Sequence, residues 1–164
     1  MNLAIAAPQW LTLLLVGLLL AAAIEDAISL HISNLTCLAI FVAGIVAMWL
    51  AGPQTDLWQN AIVFVGLLAI GTPLFAAGKM GGGDIKLLAV TGLWFDLAGA
   101  SVLLASVLIA GGILAIFLIW LRRLEWSVRA SEKSKLLKRG AGIPYGVAIS
   151  AGAIFTISLA IGWG

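Results

Sequence analysis

Cysteine, histidine and tyrosine occur once each in this chain, and charge is scarce, Asp, Glu, Lys and Arg together making up 10% of the residues. A lone cysteine, Cys37, excludes an intramolecular disulfide and a cysteine-based zinc site. Its setting, SNLTCLAIF, reads as a helix in which the thiol packs as a small hydrophobe. So little charge excludes an ordinary soluble domain, in which roughly a quarter of residues are charged and about half are apolar. Here 63% are hydrophobic. No Gly-Lys-Ser/Thr sequence occurs either, so the one run of three glycines, Gly81-Gly82-Gly83, does not read as a phosphate-cradling loop; an acid, Asp84, stands where phosphates would lie. The first apolar segment lacks the basic start of a signal peptide and reads as an uncleaved helix, although AAAIED offers small residues for cleavage.

What is present is membrane-spanning length. Apolar runs cover 3–24, 35–51, 57–77, 85–95, 97–121 and 143–161. The expected fold is therefore all-α: a polytopic membrane protein of six transmembrane helices in one membrane-embedded domain over 1–164, with no room for a separate soluble catalytic domain. Five runs approach the ~20 residues that cross ~30 Å of hydrocarbon. The fourth has eleven residues, about 16 Å at 1.5 Å per residue. It either takes in the glycine run and continues towards Gly99, or enters the membrane part-way. Both readings place Asp84 at or just beneath the membrane boundary.

Of nine Lys and Arg residues, seven lie in the loop 122–142, which is therefore expected to be cytoplasmic. Alternation then puts the connections at 25–34 and 78–84 on the same side and both termini outside. Lys79 and Lys86 agree with this orientation. Trp10, Trp49, Trp58, Trp94 and Trp163 fall at expected outer ends, and Trp120 and Trp126 at an inner end, as interfacial anchors. In the basic loop Leu121, Leu124 and Val128 recur at helical spacing among arginines, which reads as a topology determinant on anionic lipid, with a soluble partner as the alternative.

The acids number seven. Asp56 and Asp96 sit in outer turns, and Glu125 and Glu132 within the basic loop, where solvation or ion pairing accounts for them. Glu25, Asp26 and Asp84 come from distant parts of the chain, yet the topology puts them on one membrane face. Two carboxylates held together share a proton, so one can activate water while the other acts as an acid. Glycines beside them let another backbone approach. Lys86 could tune the acid, hold a substrate carbonyl or snorkel to lipid headgroups. The residues alone equally allow Asp84 to be the N-cap of the fourth helix and Asp26 a solvated turn residue.

The segment GGGDIKLLA, with Gly81, Gly82, Gly83, Asp84, Ile85, Lys86 and Leu87, resembles the GxGD motif of the type IV prepilin peptidases, membrane aspartyl proteases. A second likeness is the family's other aspartate, followed six residues later by Ile-Pro-Asn; here Asp26 is followed by Ile32, Ser33 and Asn34. A third is GIPYGVAISAGA, in which Pro144, Tyr145 and Gly146 are similar to the opening of the last helix in the small tight-adherence (Flp type) members. The resemblance implies a bacterial inner-membrane endopeptidase that removes the short basic leader of a pilin or pseudopilin precursor at the cytoplasmic face. Asp26 and Asp84 would be catalytic; Gly81, Gly82, Gly83, Lys86, Asn34, Pro144, Tyr145 and Gly146 would bind substrate or shape the site. It implies no cofactor and no metal, and as partners the precursor and the lipid bilayer, with no nucleic acid.

Two departures stand out. Ser33 replaces the motif proline, and Leu30 and His31 replace the usual basic residues before it, which leaves the turn less constrained and the start of the second span at Asn34 less fixed. Larger members carry a cytoplasmic insert with paired cysteines and methylate the processed pilin; the ten residues at 25–34 hold no such pair, which implies a peptidase without methyltransferase activity. The rival reading is a pilus-assembly scaffold or transporter subunit with an intramembrane acid that binds a cation or proton. Presenilin-type GxGD enzymes have more spans and fit less well.

Overall fold

Apolar residues fill most positions, so prolines, glycines and short polar side chains set where helices begin and end. The computed structural model describes residues 1–53, 55–123 and 142–162. These form α1 (Leu3–Ala6), α2 (Gln9–Ser29), α3 (Asn34–Ala51), α4 (Leu57–Ala76), α5 (Gly82–Gly92), α6 (Leu97–Arg123) and α7 (Tyr145–Gly162), with no strand among the described residues. The amphipathic spacing around Leu124 and Val128, with Glu125, Glu132, Trp126 and Trp163, lies outside them.

The apolar run at 3–24 is not the single helix expected. Pro8, extended at φ −54° and ψ 141°, occupies the N-cap of α2 and separates it from the one-turn α1. The helix that follows is displaced along the chain and runs to Ser29, so Glu25 and Asp26 lie within its final turns rather than after it.

Five helices, α2, α3, α4, α6 and α7, are long and apolar enough to cross a membrane; α5, at 11 residues, is not. It begins within the glycine run, as one reading allowed, but does not continue towards Gly99. Beyond Gly92 the chain tightens into a turn, with the Trp94 N–H donating to Thr91 O at 3.1 Å and the Phe95 N–H to Gly92 O at 3.0 Å. A helix this short is tolerated because α3, α4 and α7 wall it off from lipid. Leu87, Ala89, Thr91, Trp94 and Phe95 are wholly buried. Its approach to α4 depends on Gly71 and Gly92: a β-carbon on Gly71 would collide with Ile85, and one on Gly92 would lie 2.5 Å from Leu67.

Trp94 therefore corrects the expectation of an interfacial anchor. Its indole is fully buried, and Nε1 donates to Ile40 O at 3.4 Å in α3. Trp10, Trp49, Trp58 and Trp120 are exposed, as anchors would be. Nearby, the buried Asn60 amide donates to Leu93 O at 3.0 Å and Met1 O at 2.9 Å, supplying donors to carbonyls that no helix satisfies. Cys37 is buried and free, in keeping with a packing role.

The exit from α4 aims the glycine run. Gly78 takes φ +66°, donating to Phe75 O at 2.9 Å, while the Lys79 N–H donates to Leu74 O at 3.0 Å. This is a Schellman C-cap, which a β-carbon at Gly78 would strain. The ends of α2 and α4 and the starts of α3, α5 and α7 meet at one end of the bundle.

Candidate active site

Three segments far apart in sequence line one cavity of about 280 Å³: Asp26 and Leu30 from the end of α2, Gly78 to Gly81 with Asp84 from the start of α5, and Gly142, Ile143 and Tyr145 before and at the start of α7. Asp26, which the residues alone also allow as a solvated turn residue, is only 4% exposed. Its Oδ2 accepts from the Gly146 N–H at 2.6 Å, a charge-assisted length, so the first turn of α7 holds this carboxylate in place. The fit needs glycine, because a β-carbon at 146 would lie 2.9 Å from Asp26 Oδ2 and 2.7 Å from Ile32 Cδ1.

Asp84 is not the N-cap of α5. That position belongs to Gly81, at φ −68° and ψ 144°, and Asp84 lies in the first turn with its carboxylate folded back over it. A β-carbon on Gly81 would lie 2.7 Å from Asp84 Oδ2. Burial raises the Asp84 carboxyl to about 6, with the neighbouring Asp26 charge adding to the rise, while the backbone N–H groups of Gly81 and Gly146 oppose it. The Gly146 amide thus acts on both acids, which is how closely they are brought together.

The remaining glycines serve the protein's own packing. A β-carbon on Gly82 would press on the Phe75 ring at 3.3 Å, and one on Gly83 on Ile32 at 3.3 Å. Gly83 therefore lets the α5 segment lie directly on the turn that follows Asp26. Lys86 points away from the carboxylates, donating from Nζ to Asn34 Oδ1 at 2.9 Å; it ties α5 to α3. Pro144 is buried, its carbonyl accepting from the Val147 N–H at 3.2 Å, and Tyr145 is partly exposed at the cavity wall.

Asn34 is the first residue of α3 and not its cap. Ser33 caps the helix, its Oγ accepting from the Leu35 N–H at 3.1 Å. Glu25, adjacent to Asp26 but on another side of α2, accepts from the Ser33 N–H at 2.8 Å and from Thr36 Oγ1 at 2.8 Å. Its carboxylate is occupied in fixing the turn, which separates it from Asp26. The α2 end itself is strained: Leu30 takes φ +54°, where a β-carbon costs roughly 1–2 kcal/mol, and donates to Asp26 O at 2.9 Å.

With two acids on one cavity wall, the Gly146 amide donating to one of them and three motif segments converging, the sequence matches the type IV leader peptidase family over residues 13–119, well over half of the chain. The chain belongs to that family. No curated protein and no solved structure matches it significantly. The family match covers Asp26 and Asp84 but ends before α7, so the Gly146 amide extends the site beyond the matched residues. Leader-peptidase membership was foreshadowed by the GxGD-like segment; the Glu25 clamp and the Gly78 cap were not singled out, although a Gly at a helix end is a recognisable C-cap signal.

Proposed function

We propose that this chain is an aspartic leader peptidase that cleaves the basic leader from a pilin or pseudopilin precursor of the Flp type, at the cytoplasmic face of a bacterial inner membrane. The observation that carries the reading is that Asp26 and Asp84 line one cavity, with the Gly146 N–H donating to Asp26. Asp84, lifted to about 6 by burial and by its neighbour, holds the shared proton, while the Gly146 N–H stabilises negative charge on Asp26. The pair titrates jointly.

In this mechanism the Asp26 carboxylate takes a proton from a water as its oxygen attacks the scissile carbonyl, and Asp84 donates a proton to the carbonyl oxygen. Collapse of the tetrahedral intermediate breaks the C–N bond. The proton held on Asp26 passes to the leaving amine, and Asp84 recovers its own from the intermediate, restoring the pair. Two ionised acids could not supply the proton that the carbonyl oxygen receives as water adds. The cytoplasmic orientation rests on the basic residues: Lys79 lines the same cavity as Gly142 and Ile143, which follow the seven basic residues of 122–142. The test is to reconstitute the purified protein with a leader-bearing precursor and sequence the product. A new N-terminus between the basic leader and the apolar segment is expected; a precursor that stays intact contradicts the reading.

A further inference from the structure

A second, larger cavity adjoins the two acids. It has a volume of about 550 Å³ and a lining that is apolar apart from Lys79 and Tyr145, with walls from α4 (Ile70, Leu74) and α6 (Leu108, Gly112) and a floor from α5 and α7. Ile70 and Leu108, on the two walls, are 67% and 75% exposed, so the cleft opens sideways, where a bilayer would lie. Nothing in the described protein fills the space beside Gly112: a β-carbon there would meet no atom within 4 Å. Lys79, Met80, Ile143 and Tyr145 line this cleft and the carboxylate cavity alike. The two spaces therefore adjoin along these residues, and an occupant of the cleft that extended past them would reach Asp26 and Asp84.

We infer that this cleft between α4 and α6 is the lateral docking site for the apolar helix of the substrate, with the scissile bond at the Met80 and Tyr145 junction. The inference rests on the leader-peptidase reading. An apolar helix is the occupant that uses both spaces: its side chains match the lining, and the glycines of α6 allow its backbone to approach closely, as packing between helices in lipid requires. The polypeptide beyond its end must then cross the carboxylates. A lipid chain would match the cleft, but would bring no peptide bond to the acids.

The test exploits three glycines at which a β-carbon meets nothing within 4 Å: Gly112 in the cleft, and Gly17 and Gly66 outside it. Precursor cleavage is measured for the unsubstituted protein, Gly112→Trp, Gly17→Trp and Gly66→Trp in liposomes. Gly112→Trp is expected to lose cleavage at least tenfold while the other two stay within about twofold of the parent. Equal rates for all three would overturn the docking site and leave the leader-peptidase reading intact; absence of cleavage by the unsubstituted protein overturns that reading itself. A photoreactive residue at Leu108, which leaves the glycines untouched, supplies the second measurement. Crosslinking to the precursor's apolar segment is expected, and crosslinking only to lipid or to the chain's own 124–141 segment would overturn the assignment.

Discussion

The Gly146 backbone N–H meets Asp26 Oδ2 at 2.6 Å, joining residues 120 apart in sequence. This contact makes the first turn of α7 part of the site, and it depends on the missing β-carbon. Gly146→Ala should push the Asp26 carboxylate aside and reduce kcat/KM for precursor cleavage on the order of 100-fold, the scale of a misplacement of about 1 Å. Gly17→Ala, at a position where a β-carbon meets nothing within 4 Å, should be near normal. Equal activity of both variants in liposomes would remove Gly146 from the account.

Ser33 occupies the motif's proline position with φ −65°, a value proline would accept, yet its N–H donates to Glu25 and its hydroxyl caps α3. Restoring the proline in Ser33→Pro therefore removes two hydrogen bonds while stiffening the turn. A net loss of about 1–2 kcal/mol is expected, the bonds to a carboxylate and a cap outweighing the gain from proline. In a Glu25→Ala background the same change should cost less, because one bond is already gone. Denaturant titrations of the four proteins in detergent check this; additive losses would contradict the clamp.

The raised Asp84 carboxyl sets the pH dependence. A carboxyl lifted to about 6 is protonated below that value and ionised above it. Because the mechanism needs one proton on the pair, kcat/KM should fall on the alkaline side with an apparent pKa of about 6, and kcat with one at least as high, since a docked apolar segment excludes water. A profile of precursor cleavage that stays flat between about pH 5 and 9 would contradict proton sharing.

The topology has its own test. His31 and Lys79 are exposed at the end of the bundle that holds the acids. In a Cys37→Ala background, cysteine placed at either position should react with membrane-impermeant thiol reagents in inverted inner-membrane vesicles and remain unlabelled in right-side-out ones. The reverse pattern would turn the protein over.

The five long helices and the placing of Asp26 and Asp84 at one end of the bundle were legible, because spanning length and the order of spans are properties of the chain alone. Other features were hidden by the same uniform hydrophobicity. With almost every residue apolar, the 3–24 run carried no sign of its break except Pro8, whose fixed φ and missing N–H decided the matter. Trp94 was misplaced because interfacial preference is a tendency, and a hydrogen bond to Ile40 O inside the bundle satisfies the indole equally well. Glu25 and Asp26 could not be separated in sequence. Neighbours on a helix point about 100° apart, and only the packing shows that one faces the Ser33 turn and the other Gly146.

The central claim is that Asp26 and Asp84 act as one catalytic pair. The most direct measurement is the rate of leader removal by Asp26→Asn and Asp84→Asn, each reconstituted at the same level as the parent and scored by the N-terminal sequence of the product. Each single substitution should lower the rate by 10²–10⁴-fold or more, on the order of a lost general acid or base, and the double variant should be little worse than either. Near-normal cleavage by either single variant would contradict the account.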